Sequence, residues 1–308
     1  LPHSHPQVNA PSLHPTVMAV VLVAGHAIKH MYNQGFLLIL PEIARALDLS
    51  NTAVGTLGTA RSMGGSLSNL PAGFLSDRYS KHWALILGAA MIVIGITQFV
   101  MGSMSAYVPI MVCAVIVNIA ISFWHPPAIA ALSQRFADRR GFALSLHGMG
   151  GNIGEATGPL IVGAGLGLMA WQNLLHVSLV PAVVTGVVVW WLMRNTHGET
   201  GGTTFKAYLG SLKQFVTDSR LTFLLVSVGG FSMAQGAVNT FLPLYLRLEL
   251  NFEPLQTAGF VALGQVAGVA SSPLLGYLSD KFGRRMTLGP ALVALGVGVI
   301  GIGVAPQG

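Results

Sequence analysis

Ten polar side chains sit where the sequence is otherwise apolar: His26, Lys29, His30, Asn33, Arg61, His125, Asn152, Glu155, Gln235 and Asn239. The first four are spaced i, i+3, i+4, i+7, which puts them on one face of a helix. Their apolar run begins near Val17, so Lys29 lies about 18 Å along it at 1.5 Å per residue. That depth is too great for easy snorkelling, and a polar stripe facing lipid is costly. The stripe is expected to face a cavity or a partner helix. Arg61, in the middle of the next run, suits either an anionic ligand or a buried acid. His125 stands in Trp124-His125-Pro126-Pro127. The two prolines remove backbone donors and predict a kink. There the ring either satisfies freed carbonyls or carries a proton. Asn152 and Glu155 share a glycine-rich run, and Glu155 is the one acid inside any apolar run. It either exchanges protons or forms a fixed ion pair with Lys29 or Arg61. Ser232, Gln235 and Asn239 make a weaker stripe later in the chain.

The elements that must position these residues are long apolar helices. Runs of roughly 20 apolar residues can cross a bilayer. About nine are predicted: 17–40, 52–76, 83–102, 107–133, 141–168, 171–193, 220–246, 255–279 and 286–305. Only 8% of the residues are charged and 52% are hydrophobic, against about 25% charged in a soluble domain. The chain therefore reads as an all-α membrane protein. Its net charge of +6 does not point to nucleic acid, because the basic residues lie in short loops. The single cysteine, Cys113, excludes a disulfide framework and a cysteine-based metal site. Neither a P-loop, an HExxH helix nor a Gly-x-Ser-x-Gly elbow occurs, so an enzyme is not expected, and no cofactor or metal is implied.

Cation placement predicts orientation. Twelve Lys and Arg fall in one set of loops and two, Arg45 and Arg247, in the other; Lys29 and Arg61 lie within runs. The N-terminus is thus expected in the cytoplasm and the chain in a cell membrane as a multi-pass protein. Residues 1–16, with three His and four Pro, read as a disordered tail. Residues 17–193 read as a first unit of six spans, 194–219 as a cytoplasmic linker and 220–308 as three further spans.

A repeat ties the two units together. Gly73-Phe74-Leu75-Ser76-Asp77-Arg78-Tyr79-Ser80-Lys81 returns 203 residues later as Gly276-Tyr277-Leu278-Ser279-Asp280-Lys281-Phe282-Gly283-Arg284, followed by Arg285. Leu40-Pro41 likewise matches Leu242-Pro243. The doubled loop resembles the one between helices 2 and 3, and its echo between helices 8 and 9, of major facilitator superfamily transporters. The first copy departs from that pattern with Ser80 where glycine is usual. Gly154-x-x-x-Gly158-Pro159 resembles the helix-5 motif of antiporters in the same family, with Ala164 replacing its last glycine. The stretch from His125 to Pro159 is most similar to the fosmidomycin-resistance branch.

The resemblance implies a helical bundle of two pseudo-symmetric halves, the second incomplete after helix 9, so about three further spans are expected in the native protein. It also implies secondary active transport by alternating access. Helices 1 and 7 would line the pathway. The loops carrying Gly73, Asp77, Arg78 and Lys81, and Gly276, Asp280, Lys281, Gly283, Arg284 and Arg285, would lock one half against the other. The cationic and protonatable residues suggest an anionic or amphipathic organic substrate with proton-coupled efflux, in a monomer. Proton-coupled uptake of an organic acid, or a receptor that binds without transporting, are the alternatives; an intramembrane enzyme is more distant.

Overall fold

The computed structural model describes residues 13–198 and 204–304. Side chains at 211–216, and several after 271, are also outside the described set. Most of the predicted tail lies outside the described residues as well. Among the described residues the chain is helical, with no strand.

The helices are α1 (Pro15–Ala46), α2 (Asn51–Arg78), α3 (Trp83–Gly102), α4 (Tyr107–Ser122), α5 (His125–Arg135), α6 (Arg140–Leu168), α7 (Trp171–Val177), α8 (Leu179–Met193), α9 (Phe205–Thr217), α10 (Ser219–Leu244), α11 (Pro254–Phe282) and α12 (Arg284–Val304). Caps mark several starts. The Ser50 hydroxyl accepts from Ala53 N at 3.2 Å to open α2, and Asp218 accepts from Arg220 N at 2.8 Å to open α10. Gly283, at φ 88°, ends α11 in a left-handed turn that other residues adopt only with strain.

The predicted run 107–133 is two helices, α4 and α5. At the break, Phe123 N and Trp124 N bond the carbonyls three residues back, Ala120 O and Ile121 O, at 3.2 and 3.3 Å. Pro126 and Pro127 then occupy the first turn of α5, where missing donors cost least. The run 171–193 is also divided, into α7 and α8. A helix not foreseen, α9, occupies much of the stretch read as a linker.

Among the described residues, four helical stretches are by length and composition apolar enough to cross a membrane: Ser80–Gly102, Tyr107–Arg135, Trp171–Met193 and Ser219–Glu249. Helices α1, α2 and α6 are long enough, at 32, 28 and 29 residues, but each carries buried polar side chains. Those side chains point inward: Lys29 is 1% exposed and Arg61 7%. The outer faces are apolar, with Leu85, Val93 and Ile96 exposed on α3, as a lipid-facing surface requires.

Helix α1 packs along α6, α3 along α8 and α2 along α4. The α1–α6 contact is close because of glycine. A Cβ at Gly154 would strike the Ala27 carbonyl, and one at Gly158 would lie 2.7 Å from Met31 Cα. Helices α10 and α11 meet the first eight helices at one end. There Arg247 Nε donates to Glu42 Oε1 at 2.9 Å, Arg45 Nη2 donates to Arg247 O at 3.4 Å, and Phe241 covers Gly55. Towards the other end the described side chains of α11 are mostly exposed.

Candidate functional site

The polar stripe of α1 does face partner helices. Beside it stand His125 at the start of α5 and His147 and Glu155 on α6. Lys29 Nζ donates to His125 Nε2 at 2.7 Å. His26 Nδ1 lies 2.7 Å from the main-chain oxygen of His147. A carbonyl only accepts, so His26 carries its proton on Nδ1 and a lone pair on Nε2. His30 Nε2 is 3.1 Å from that lone pair and must donate to it. The other nitrogen of His30 lies 2.9 Å from Glu155 Oε1. The contact is an ion-pair distance without hydrogen-bond alignment at His30 Nδ1.

Glu155 is therefore the partner of His30, not of Lys29 or Arg61 as weighed from sequence. Which residue on α1 it meets depends on how α6 is rotated, and the glycine face fixes that rotation. His125 does not spend its ring on the carbonyls freed by the prolines; it accepts from Lys29. Arg61 Nη2 donates to Asn33 Oδ1 at 2.6 Å and Asn33 O at 2.9 Å, and its guanidinium lies 5.0 Å from the centre of the Phe36 ring. Among the described residues no carboxylate pairs with Lys29 or Arg61.

His147 is the residue that sequence reasoning missed. It is 4% exposed, and its ring stacks on His26 at 3.7 Å with planes 7° apart. It stands eight residues before Glu155, the spacing that shares a helix face, and this was the available signal. Asn152 is exposed on α6, Gln235 is exposed on α10, and Asn239 is half-buried there. None of the three joins the cluster through a hydrogen bond among the described residues. Three histidines, His26, His125 and His147, bring nitrogens within 4.8 Å of one another and could hold a metal ion. Between α1, α3, α6, α7 and α8 lies an apolar cavity of about 280 Å³ lined by Tyr32, Phe36, Gln98, Gly158 and Leu175.

The first repeated loop contacts neighbouring chain. His197 Nδ1 approaches Lys81 O at 3.1 Å, Gly198 N donates to Ser80 O at 3.1 Å, and Tyr208 on α9 donates to Leu70 O at 2.9 Å. Asp77 and Arg78 are exposed, and Gly73 faces the Tyr208 hydroxyl. In the second loop Lys281 lies over the Phe282 ring at 5.3 Å. Gly276, Asp280, Arg284 and Arg285 belong to described helices, but their side-chain positions lie outside the described residues.

Residues 22–308 match the family described as Major Facilitator Superfamily. The chain belongs to this superfamily. It is 23% identical over 271 residues to the fosmidomycin resistance protein of Escherichia coli, covering 85% of this chain and 65% of that one. It is 22% identical over 304 residues to the membrane sensor protein UhpC of the same species, covering 90% and 67%. A crystal structure of a bacterial homologue of the human lysosomal transporter Spinster, inward-facing and unoccupied, superposes with a TM-score of 0.74 at 17% identity, covering 88% of this chain and 64% of that one. The chain thus spans about two thirds of the length of these superfamily members.

Proposed function

We propose that the full-length protein is a secondary active transporter that moves a small anionic or amphipathic organic molecule by alternating access, as a monomer in the cell membrane with its N-terminus in the cytoplasm. One observation carries the substrate class. Lys29 and Arg61 are buried cations without a carboxylate counter-ion among the described residues. Buried charges in a membrane are ordinarily paired, so an anionic ligand is the natural partner. Lys29 and Arg61 are the binding residues in this reading, with Asn152, Gln235 and Asn239 along the pathway.

Coupling to protons is assigned to Glu155. It is the one carboxyl of the cluster, half-buried, and its contact with His30 bridges α6 to α1. Gaining or losing a proton there changes the strength of an interhelical contact. A ligand shifts a conformational equilibrium only by its differential affinity for the two states, and a proton bound in this contact satisfies that condition. Membership of the superfamily, the Gly154, Gly158 and Pro159 face and the likeness to the E. coli fosmidomycin resistance protein favour efflux by antiport.

A second reading has support of its own: the chain is comparably similar to a membrane sensor protein. A sensor would bind its ligand without accumulating it. Reconstitution of the full-length protein in proteoliposomes, with labelled organic anions and an imposed pH gradient, tests both readings. Gradient-driven accumulation of one anion is expected. Saturable binding with no accumulation would favour the sensor.

A further inference from the structure

Within the cluster, His147 has neither ring nitrogen hydrogen-bonded among the described residues, although it is buried. A buried polar group without a partner costs about 1–3 kcal/mol, and such groups ask for a reason. Its neighbours are arranged in a way that supplies one. The Nδ1 proton of His26 is held by a main-chain carbonyl, leaving Nε2 as the ligand atom. That is how metal-binding histidines are usually oriented through their second nitrogen. His125 contributes a third imidazole from another helix, and the three ligand-capable nitrogens lie within 4.8 Å of one another.

We propose that His26, His125 and His147 form a binding site for a divalent transition-metal ion of the Zn²⁺, Co²⁺ or Ni²⁺ type. Imidazole donors suit these ions, whereas Ca²⁺ and Mg²⁺ require oxygen ligands that the trio lacks. Two adjustments are needed. Tetrahedral coordination at 2.0–2.1 Å brings nitrogens to about 3.3 Å apart, so the trio must contract. The stacked rings of His26 and His147 must also unstack, because a lone pair lies in the plane of its ring. His147 can turn without breaking a hydrogen bond. Lys29 opposes the ion twice over, by its charge and by occupying His125 Nε2, and His30 must release the His26 Nε2 lone pair before that atom can ligate. Metal binding and the Lys29–His125 bond are therefore mutually exclusive, and the bound ion joins α1, α5 and α6 into one body. The inference is independent of the transport reading.

The test uses the purified full-length protein with His3 and His5 of the tail changed to Ala. Co²⁺ is titrated and its visible absorption bands are followed, with Zn²⁺ as competitor. One Co²⁺ per chain with four-coordinate bands is expected, displaced by Zn²⁺. His147→Gln should weaken binding at least tenfold, and Lys29→Met should tighten it severalfold. His30→Ala, which frees the His26 Nε2 lone pair, should leave binding as tight or tighter. Thermal unfolding of each variant checks that it is folded. The proposal is overturned if Co²⁺ binds no tighter than about 1 mM, or if a folded His147→Gln and Lys29→Met both leave affinity unchanged.

Discussion

Lys29 is the residue on which the substrate class turns. It is among the largest fully buried side chains of the protein, and its one hydrogen bond among the described residues is to an imidazole that accepts from it. A charged hydrogen bond to a ligand contributes about 1.5–3 kcal/mol. Lys29→Met in the full-length protein should therefore weaken an anionic substrate roughly ten- to hundredfold, while a neutral analogue of similar size binds nearly as before. Equilibrium binding of the two ligands checks this; equal losses for both would point to a folding defect. Arg61 should behave differently. Its guanidinium already bonds Asn33 and faces Phe36, so Arg61→Met removes an α1–α2 tie as well as a charge. It should lower the unfolding temperature more than Lys29→Met does.

Among the elements, α6 sets the geometry of the cluster through its glycine face. Gly158→Ala would drive a methyl to 2.7 Å from Met31 Cα. Overpacking of this kind costs about 1–3 kcal/mol. Gly148→Ala on the same helix meets nothing within 4 Å and should be neutral or stabilising by helix propensity, up to about 1 kcal/mol. Thermal unfolding in one detergent compares the two; equal effects would mean that close α1–α6 packing is not what the glycines provide. Most of the helices were legible in the sequence as apolar runs between charged loops, but two runs are each a pair of helices and α9 was not foreseen. The α1 stripe was legible too: spacing on one helix needs no knowledge of its neighbours. Partner choice was not. His30–Glu155, Lys29–His125 and Glu42–Arg247 join residues 125, 96 and 205 positions apart, and each depends on the rotation of one helix against another. The break at Ser122–His125 was signalled by its prolines, and the division of α7 from α8 carries a corresponding mark that went unread. Pro181 lies in the first turn of α8, where Pro127 lies in α5.

At the scale of the whole molecule, the first eight helices and α10–α11 are joined at one end by Glu42 and Arg247, and towards the other end the described side chains of α10 and α11 are mostly exposed. If alternating access operates, this contact must break when the opposite end closes. Glu42→Gln should then raise the population open at the Arg45 end, by about tenfold if the pair contributes roughly 1.4 kcal/mol. Labelling of a cysteine introduced at position 235 on α10, placed along the proposed pathway, by an impermeant reagent reads that shift. Unchanged labelling would mean the pair holds no gate. Orientation is tested separately. Twelve of the fourteen loop cations fall in one set of loops, so if that set is cytoplasmic a cysteine at position 284 should be protected from the same reagent in intact cells and one at position 45 should react.

The most direct test of a proton-coupled carrier built on this cluster compares wild type and Glu155→Gln in proteoliposomes of the full-length protein. Substrate movement is followed in two modes, driven by a pH gradient and as counterflow with no gradient. The predicted result is gradient-driven transport by wild type that Glu155→Gln loses, while counterflow survives in both. Gradient-driven transport that persists at the wild-type rate in Glu155→Gln would contradict the account.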